Sequence, residues 1–197
     1  MVTMTANTPK GQQKELVLRS HPQKFAMWLF IATVMMLFAA FTSAYIVRQS
    51  QGDWQIIELP DTFWINSGII VLSSVSMHWA YLAAKKDRFG ALRIAVILTS
   101  LLGFGFLYGQ IEAYSVLVSN GYHFVGNNIA SSFIYVLTAV HAAHLISAIV
   151  FLIIVLYSAF TMKIHSKNMA RMEMCTTYWH FLGGLWIYLF MFLQLNQ

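Results

Sequence analysis

The chain has 197 residues, 58% of them hydrophobic and only 10% charged, whereas a soluble globular domain carries about 25% charge. That composition excludes disorder and is a poor match to a water-facing surface, and one cysteine, Cys175, excludes an intrachain disulfide framework and a Cys-based zinc site. The formal net charge of +5 fits nucleic-acid binding only if the basic residues gather on one face, and along the chain they do not.

The first 24 residues are polar and carry Lys10, Lys14, Arg19 and Lys24. Phe25 to Val47 is uncharged, Thr62 to Ala84 is uncharged, and Ile94 to Ile111 is uncharged up to Glu112. Ala113 to Met162 runs 50 residues without Asp, Glu, Lys or Arg, and Met174 to Gln197 is uncharged again. Roughly 20 apolar residues cross a hydrocarbon core, so five spans are expected, near 25–47, 62–84, 92–117, 130–160 and 175–195. The polar stretch Ser119 to Asn128 is rich in turn formers and divides the third span from the fourth. The first apolar run is too long for a signal peptide and is followed by no small-residue cleavage site. The expected fold is therefore all-α, an integral membrane bundle of five transmembrane helices behind a polar N-terminal tail, with no soluble module and no internal repeat.

Eleven of the twelve basic residues fall before span one, between spans two and three, or between spans four and five, and only Arg48 falls on the other side. Short loops rich in Lys and Arg stay on the side of synthesis, which puts the N-terminus inside and the C-terminus outside. The basic charge then marks topology. Pro9, Pro22 and Pro60 all lie outside the spans, which argues against the broken helices of many transporter sites.

Chemistry in hydrocarbon belongs to ionisable side chains, which are costly there and face the bundle interior. The candidates are His78, His141, His144, His180 and Glu112. A neutral histidine also serves simply as a hydrogen-bonding group between helices. Bis-histidine haem ligation needs two imidazoles at one depth on facing helices; His78 and His180 share a depth, and His141 does not share it. His141 and His144 lie on one helix face and suit part of a metal site, yet no Glu-x-x-His partner completes it. Glu112, toward the outer end of span three, is read as a hydrogen-bonding or interfacial carboxyl; a relay would need a chain of partners through the membrane. Gly105-x-x-x-Gly109, Ala40-x-x-x-Ala44 and Gly183-Gly184 are candidate close-packing positions. The six tryptophans lie mostly near span ends, as in an interfacial belt. No nucleophile–base pair, phosphate loop or triad is present.

Two segments carry a family resemblance. His141-Ala-Ala-His144-Leu-Ile-Ser-Ala148 resembles an H-x-x-H-x-x-x-G/A motif, and Glu173 through Tyr178-Trp179-His180-Phe181 to Trp186 resembles an E-x5-W-H-F-x4-W motif. Both are motifs of subunit III of the haem-copper terminal oxidases. Asn66 to Ala80 is similar to that family's second core helix, and Gln110-Ile-Glu112-Ala-Tyr114 resembles its Q-x-x-E-Y helix end shifted by one residue. Two positions depart from the pattern. The Ser-Glu pair of the first core helix is missing from Phe30 to Leu37, and Gly183 stands where an Asp often follows the W-H-F block. Five spans resemble the short bacterial forms that lack the first two of seven helices.

The resemblance implies a non-catalytic subunit of a proton-pumping oxidase that reduces O2 to water, in the bacterial inner (plasma) membrane. It implies no cofactor in this chain, with haem and copper held by partner subunits. It also implies packing against catalytic subunit I and phospholipid in a cleft between helices, with support for proton uptake and complex stability. Glu112, His141, His144, His180, Trp179 and Trp186 are the lipid-cleft or structural polar candidates; no catalytic or metal residue is assigned. The rival readings are an accessory protein of nitric oxide reduction and an independent haem-b electron carrier built on His78 and His180. The choice between cytochrome c and quinol as electron donor is made in other subunits.

Overall fold

The computed structural model describes residues 22–51, 57, 59–124, 129–161 and 169–196. Lys10, Lys14, Arg19, Lys163 and Lys167, which carry much of the orientation argument, lie outside the described residues, as do Trp54 and part of the loop before Ile129.

Five helices follow one another: α1 Pro22–Gln49, α2 Thr62–Lys85, α3 Phe89–Ser119, α4 Ile129–Phe160 and α5 Ala170–Leu195. All five are long and apolar enough to cross a membrane; the shortest, 24 residues, is about 36 Å long against a hydrocarbon core near 30 Å. Helices α1, α2, α3 and α5 overrun the uncharged stretches that announce them, and α4 lies within its own. The first turns of α5 hold Arg171 and Glu173, because charges in an interfacial turn end an apolar run without ending the helix. Pro22 opens α1, where a missing N–H costs nothing. At the other end of α2, Lys85 and Lys86 lie where the helix dipole favours cations, and Asp87 turns the chain at φ 51. The Arg88 N–H donates to the Ala83 carbonyl across that turn, so α2 and α3 form a tight antiparallel pair. Gly121, at φ 83, closes α3 in the left-handed conformation that glycine adopts without strain; the Tyr122 N–H reaches back to the Leu117 carbonyl.

The helices α2, α3, α4 and α5 form a ring in which each packs on the next and α5 returns to α2, with α2–α3 the most extensive contact. Among the described residues α1 packs only on α4 and α5, outside the ring. The distribution of polarity is the reverse of a soluble bundle. Phe25, Met36, Ile65, Leu101 and Ile111 are exposed on the exterior, while Asn66, Ser73, Thr99, Gln110, Thr138 and His141 are buried. That exterior matches lipid, which gives no hydrophobic drive for helices to associate, so packing and interhelical hydrogen bonds must hold the bundle.

Such bonds lie at each seam of the ring and between α5 and α1. Ser76 and Thr99 hydroxyls meet at 2.7 Å between α2 and α3, and Tyr114 donates to Thr138 at 2.9 Å between α3 and α4. Ser147 and Tyr178 meet at 2.8 Å between α4 and α5. The indole N–H groups of Trp179 and Trp186 donate to Ser73 and Ser67, each at 3.0 Å, between α5 and α2. Tyr188 donates to Thr42 at 3.3 Å between α5 and α1. At the end of the bundle bearing Lys85, Lys24 pairs with Glu173 and ties the start of α1 to the start of α5. Both partners of this pair are more than a third exposed. Replacing either by alanine is therefore expected to cost about 1 kcal/mol at most, measured by denaturant titration, with a loss that shrinks as salt is added.

The close-packing residues differ in part from expectation. The buried stripe of α3 includes Ser100, Gly103, Phe106, Gly109 and Ala113, and Gly105 falls off it, with open space where a Cβ would stand. Gly103 takes its place against the Trp179 ring. Ala40 and Ala44 are exposed to the exterior, because α1 has neighbours on one side only.

Candidate functional site

Two depths along the bundle are fixed by contacts between antiparallel helices. Asn66 of α2 sits against Gly109 of α3, with its Oδ1 2.0 Å from the position of a glycine Cβ. Trp186 of α5 donates to Ser67 and lies against His141 of α4, ring centroids 5.2 Å apart. These residues form one cross-section of the ring. Its centre is filled by Trp186, which stacks on Phe63 at 5.9 Å and meets Phe106 edge-on at 4.8 Å. One layer toward the Lys85 end, Trp179 fills the ring in the same way between Gly103 and Ser73. Trp179 and Trp186 are therefore core, whereas Trp28, Trp64 and Trp79 are exposed on the exterior in the manner of an interfacial belt.

His141 is completely buried among aromatic rings: Phe38, Phe106 and Trp186 surround it at 6.3, 6.0 and 5.2 Å. Neither ring nitrogen has a hydrogen-bond partner among the described residues. A leucine of similar size leaves no donor or acceptor stranded, so His141→Leu is expected to change stability by less than about 1 kcal/mol, read by denaturant titration. His144, on the same helix, turns toward α1. Its Nδ1 lies 2.8 Å from the Val140 carbonyl, so that nitrogen carries the hydrogen and donates, and its ring packs on Phe30 and Phe38. Among the described residues no three His, Cys, Asp or Glu side chains gather in a metal-binding group.

Glu112 is on the outside of α3. The single-residue shift in Gln110-Ile-Glu112-Ala-Tyr114 has a geometric consequence, since one residue turns a helix by about 100°. The position of the motif glutamate is taken by Ala113, which is buried, and the carboxylate of Glu112 leaves the bundle. Asn66 opposite Gly109 puts Glu112 level with the start of α2 at Thr62, so it stands at the rim of the bundle and not in a path through it.

Open space lies instead along both flanks of α5. A groove of about 500 Å³ between α1 and α5 is lined by Met35, Phe38, Ala39, Phe181, Leu185 and Tyr188, with His180 and Gly184 at its α5 edge. A second groove of about 430 Å³, between α2 and α5, is lined by Ile70, Ser74, Val75, His78, Gly183 and Ile187, and again by His180 and Gly184. His78 and His180 face each other there with ring centroids 6.1 Å apart, at the common depth expected of them. Of the six lipid-cleft or structural polar candidates, His180 alone lines a groove: His141, Trp179 and Trp186 fill the ring centre, His144 turns toward α1, and Glu112 is on the outside of α3. Depth follows from counting residues, but direction around a helix axis does not. Gly184, Tyr188 and Met35 escape sequence reasoning for that reason, and the Gly183-Gly184 pair is their only signal. Among the described residues the bundle thus offers a filled interior and two lateral grooves beside α5.

The sequence profile of the family described as cytochrome c oxidase subunit III matches residues 3–196, all five helices included. The chain belongs to the cytochrome c oxidase subunit III family. It is similar to the cytochrome c oxidase subunit 3 of Bacillus sp. (strain PS3), 23% identical over 193 residues, which cover 95% of this chain and 92% of that one. It is also similar to the cytochrome bo(3) ubiquinol oxidase subunit 3 of Pseudomonas aeruginosa, 28% identical over 171 residues and covering 84% and 81% of the two chains. A third relative, the probable cytochrome c oxidase subunit 3 of Rickettsia bellii, is 29% identical over 199 residues, covering 89% of this chain and 69% of its own. Subunit III membership, five membrane-length helices and bacterial relatives make this a multi-pass bacterial membrane protein and a terminal oxidase subunit.

Proposed function

We propose that this chain is a non-catalytic subunit III of a proton-pumping haem-copper terminal oxidase. Haem and copper reside in partner subunits, and this chain packs against catalytic subunit I with its N-terminus inside. The observation that carries the reading is the filled ring centre. Trp179, Trp186, Phe106 and His141 occupy the cross-sections where a redox centre of a helical bundle would have to sit. The α1–α5 groove holds phospholipid acyl chains, and the polar seams keep five helices together in lipid. Its contribution to proton uptake is support of the complex and not a relay: Glu112 stands outside the bundle, and no acid replaces the missing Ser-Glu pair of α1. Relatives named as cytochrome c oxidase and as ubiquinol oxidase subunits are consistent with an electron donor chosen elsewhere in the complex.

The haem-carrier reading finds less support in the packing. Gly183 brings Ser74 Oγ to 2.8 Å from the position of its missing Cβ, about one helical turn from both His78 and His180. This close approach of α2 and α5 beside the histidine pair counts against a porphyrin seated between the two imidazoles. The test is to purify the oxidase from a strain lacking this chain. The expected result is a complex that keeps its haem spectrum and initial O2 reduction but inactivates after fewer turnovers and retains less phospholipid. Loss of the haem signal itself, or an unchanged lifetime, would contradict the proposal.

A further inference from the structure

The α2–α5 groove contains two side chains that helix packing leaves unused, the imidazoles of His78 and His180. They come from two helices, face each other with ring centroids 6.1 Å apart, and neither forms a hydrogen bond with another described residue. The close approach of Ser74 to Gly183, about one helical turn from both histidines, holds α2 and α5 together there, so packing sets the separation of the rings. His78 is exposed and His180 half-buried, which leaves the space between them open from the side of the bundle.

That separation is too small for a ring or a headgroup to lie between the imidazoles, and it fits a single ion. A metal-bound imidazole nitrogen lies about 2 Å from the ion and the ring centre about 1 Å beyond it, so imidazoles on opposite sides of one ion have centroids about 6 Å apart, and at a tetrahedral angle about 5 Å. The observed 6.1 Å corresponds to the open, near-linear arrangement. Charge then narrows the choice of ion. Among the described residues no Asp, Glu, Cys, Lys or Arg lines the groove, and Lys85 follows His78 by two helical turns. A divalent ion on two neutral imidazoles would therefore keep its whole charge at the edge of the hydrocarbon. Zn2+ also takes four ligands in a tetrahedron, and the groove adds only the Ser74 hydroxyl to the pair. Cu(I) carries a single charge, binds two ligands in line, and accepts imidazole nitrogen.

We propose that His78 and His180 bind a Cu(I) ion in line between their ring nitrogens, at an exchangeable site on the outside of the helix ring. The proposal concerns binding alone, involves no electron transfer, and holds whichever complex the chain joins.

The test is titration of the full-length chain in mixed micelles with Cu(I), kept reduced by ascorbate under nitrogen and buffered by the chelator bicinchoninate, followed by X-ray absorption at the copper edge. The expected result is one Cu(I) per chain held against the chelator, with the edge feature of two-coordinate Cu(I) and scattering from two imidazoles. His78→Leu and His180→Leu should each weaken the site about a hundredfold or more, since losing a group merely bonded to a metal ligand already costs about tenfold to a hundredfold. Folding of both variants is checked before metal is added, by the protection of buried Cys175 from a thiol reagent, and the wild-type spectrum decides without any variant. Ser74→Ala should leave affinity and edge unchanged, and equimolar Zn2+ should not displace the ion. Full retention of Cu(I) in both histidine variants, a three- or four-coordinate edge in the wild-type chain, displacement by equimolar Zn2+, or no binding by the wild-type chain would each overturn the proposal.

Discussion

Trp186→Ala is expected to destabilise the bundle by about 3–5 kcal/mol, among the largest effects of any single truncation in this chain. In lipid the transfer term that drives soluble cores is weak, because the hydrocarbon outside is as apolar as the protein interior. What remains is packing, and Trp186 makes a large share of it. Its ring stacks on Phe63, meets Phe106 edge-on and lies against His141, joining α2, α3 and α4 to α5. Its removal opens a void with no alternative filler and strands the Ser67 hydroxyl's interhelical bond. Trp186→Phe, which keeps most of the volume and loses the indole N–H, should recover more than half of that loss. The measurement is a denaturant titration in mixed micelles followed by thiol labelling of Cys175, the single cysteine, which is buried in the native bundle and becomes reactive as the helices separate.

Gly109→Leu is expected to cost a further large amount, about 3 kcal/mol or more, because overpacking a fixed helix seam forces backbone shifts. Asn66 Oδ1 already stands 2.0 Å from the place of a Cβ, and Asn66 Cγ 2.9 Å, so a side chain as large as leucine pushes α2 away from α3 along their extensive contact. Gly105→Leu, four residues away on the same helix, meets nothing within 4 Å and should be nearly neutral. In Gly109→Ala the neighbour to be displaced is a single carboxamide. Shortening it in the double variant Gly109→Ala with Asn66→Ala should recover about 1–2 kcal/mol, a coupling typical of residues in direct contact. Equal losses at positions 105 and 109 would mean that α3 packs on a face other than the one described.

The contrast between those two glycines shows what sequence reasoning reaches and what it misses. Distance along a helix axis is a matter of counting at about 1.5 Å per residue. The five spans, their polar ends and the common depth of His78 and His180 all follow from it, and the structure places those two rings 6.1 Å apart. Direction around the axis depends on which neighbours surround the helix. Gly105 and Gly109 look alike in sequence, yet only Gly109 falls on the stripe that faces α2. Glu112 matches its motif to within one residue, but that residue turns the carboxylate from the interior to the rim and leaves Ala113 inside. His141 and His144 share a face by spacing, and the insertion of α1 on the outer side of α4 still separates their surroundings into a sealed aromatic cage and a half-open seam. The grooves were the least legible feature, since they exist only where α5 is left partly uncovered between α1 and α2.

The chain's proposed role as a subunit that supports redox chemistry without carrying it is tested most directly by its haem content. Mild-detergent purification through a tag on this chain, with mass spectrometry of the partners, gives the complex. Reduced-minus-oxidised spectra are then recorded for that complex and for the chain after dissociation. The account predicts oxidase subunits and haem absorption in the complex and no haem on the separated chain. A Soret band at one haem per isolated chain would contradict it.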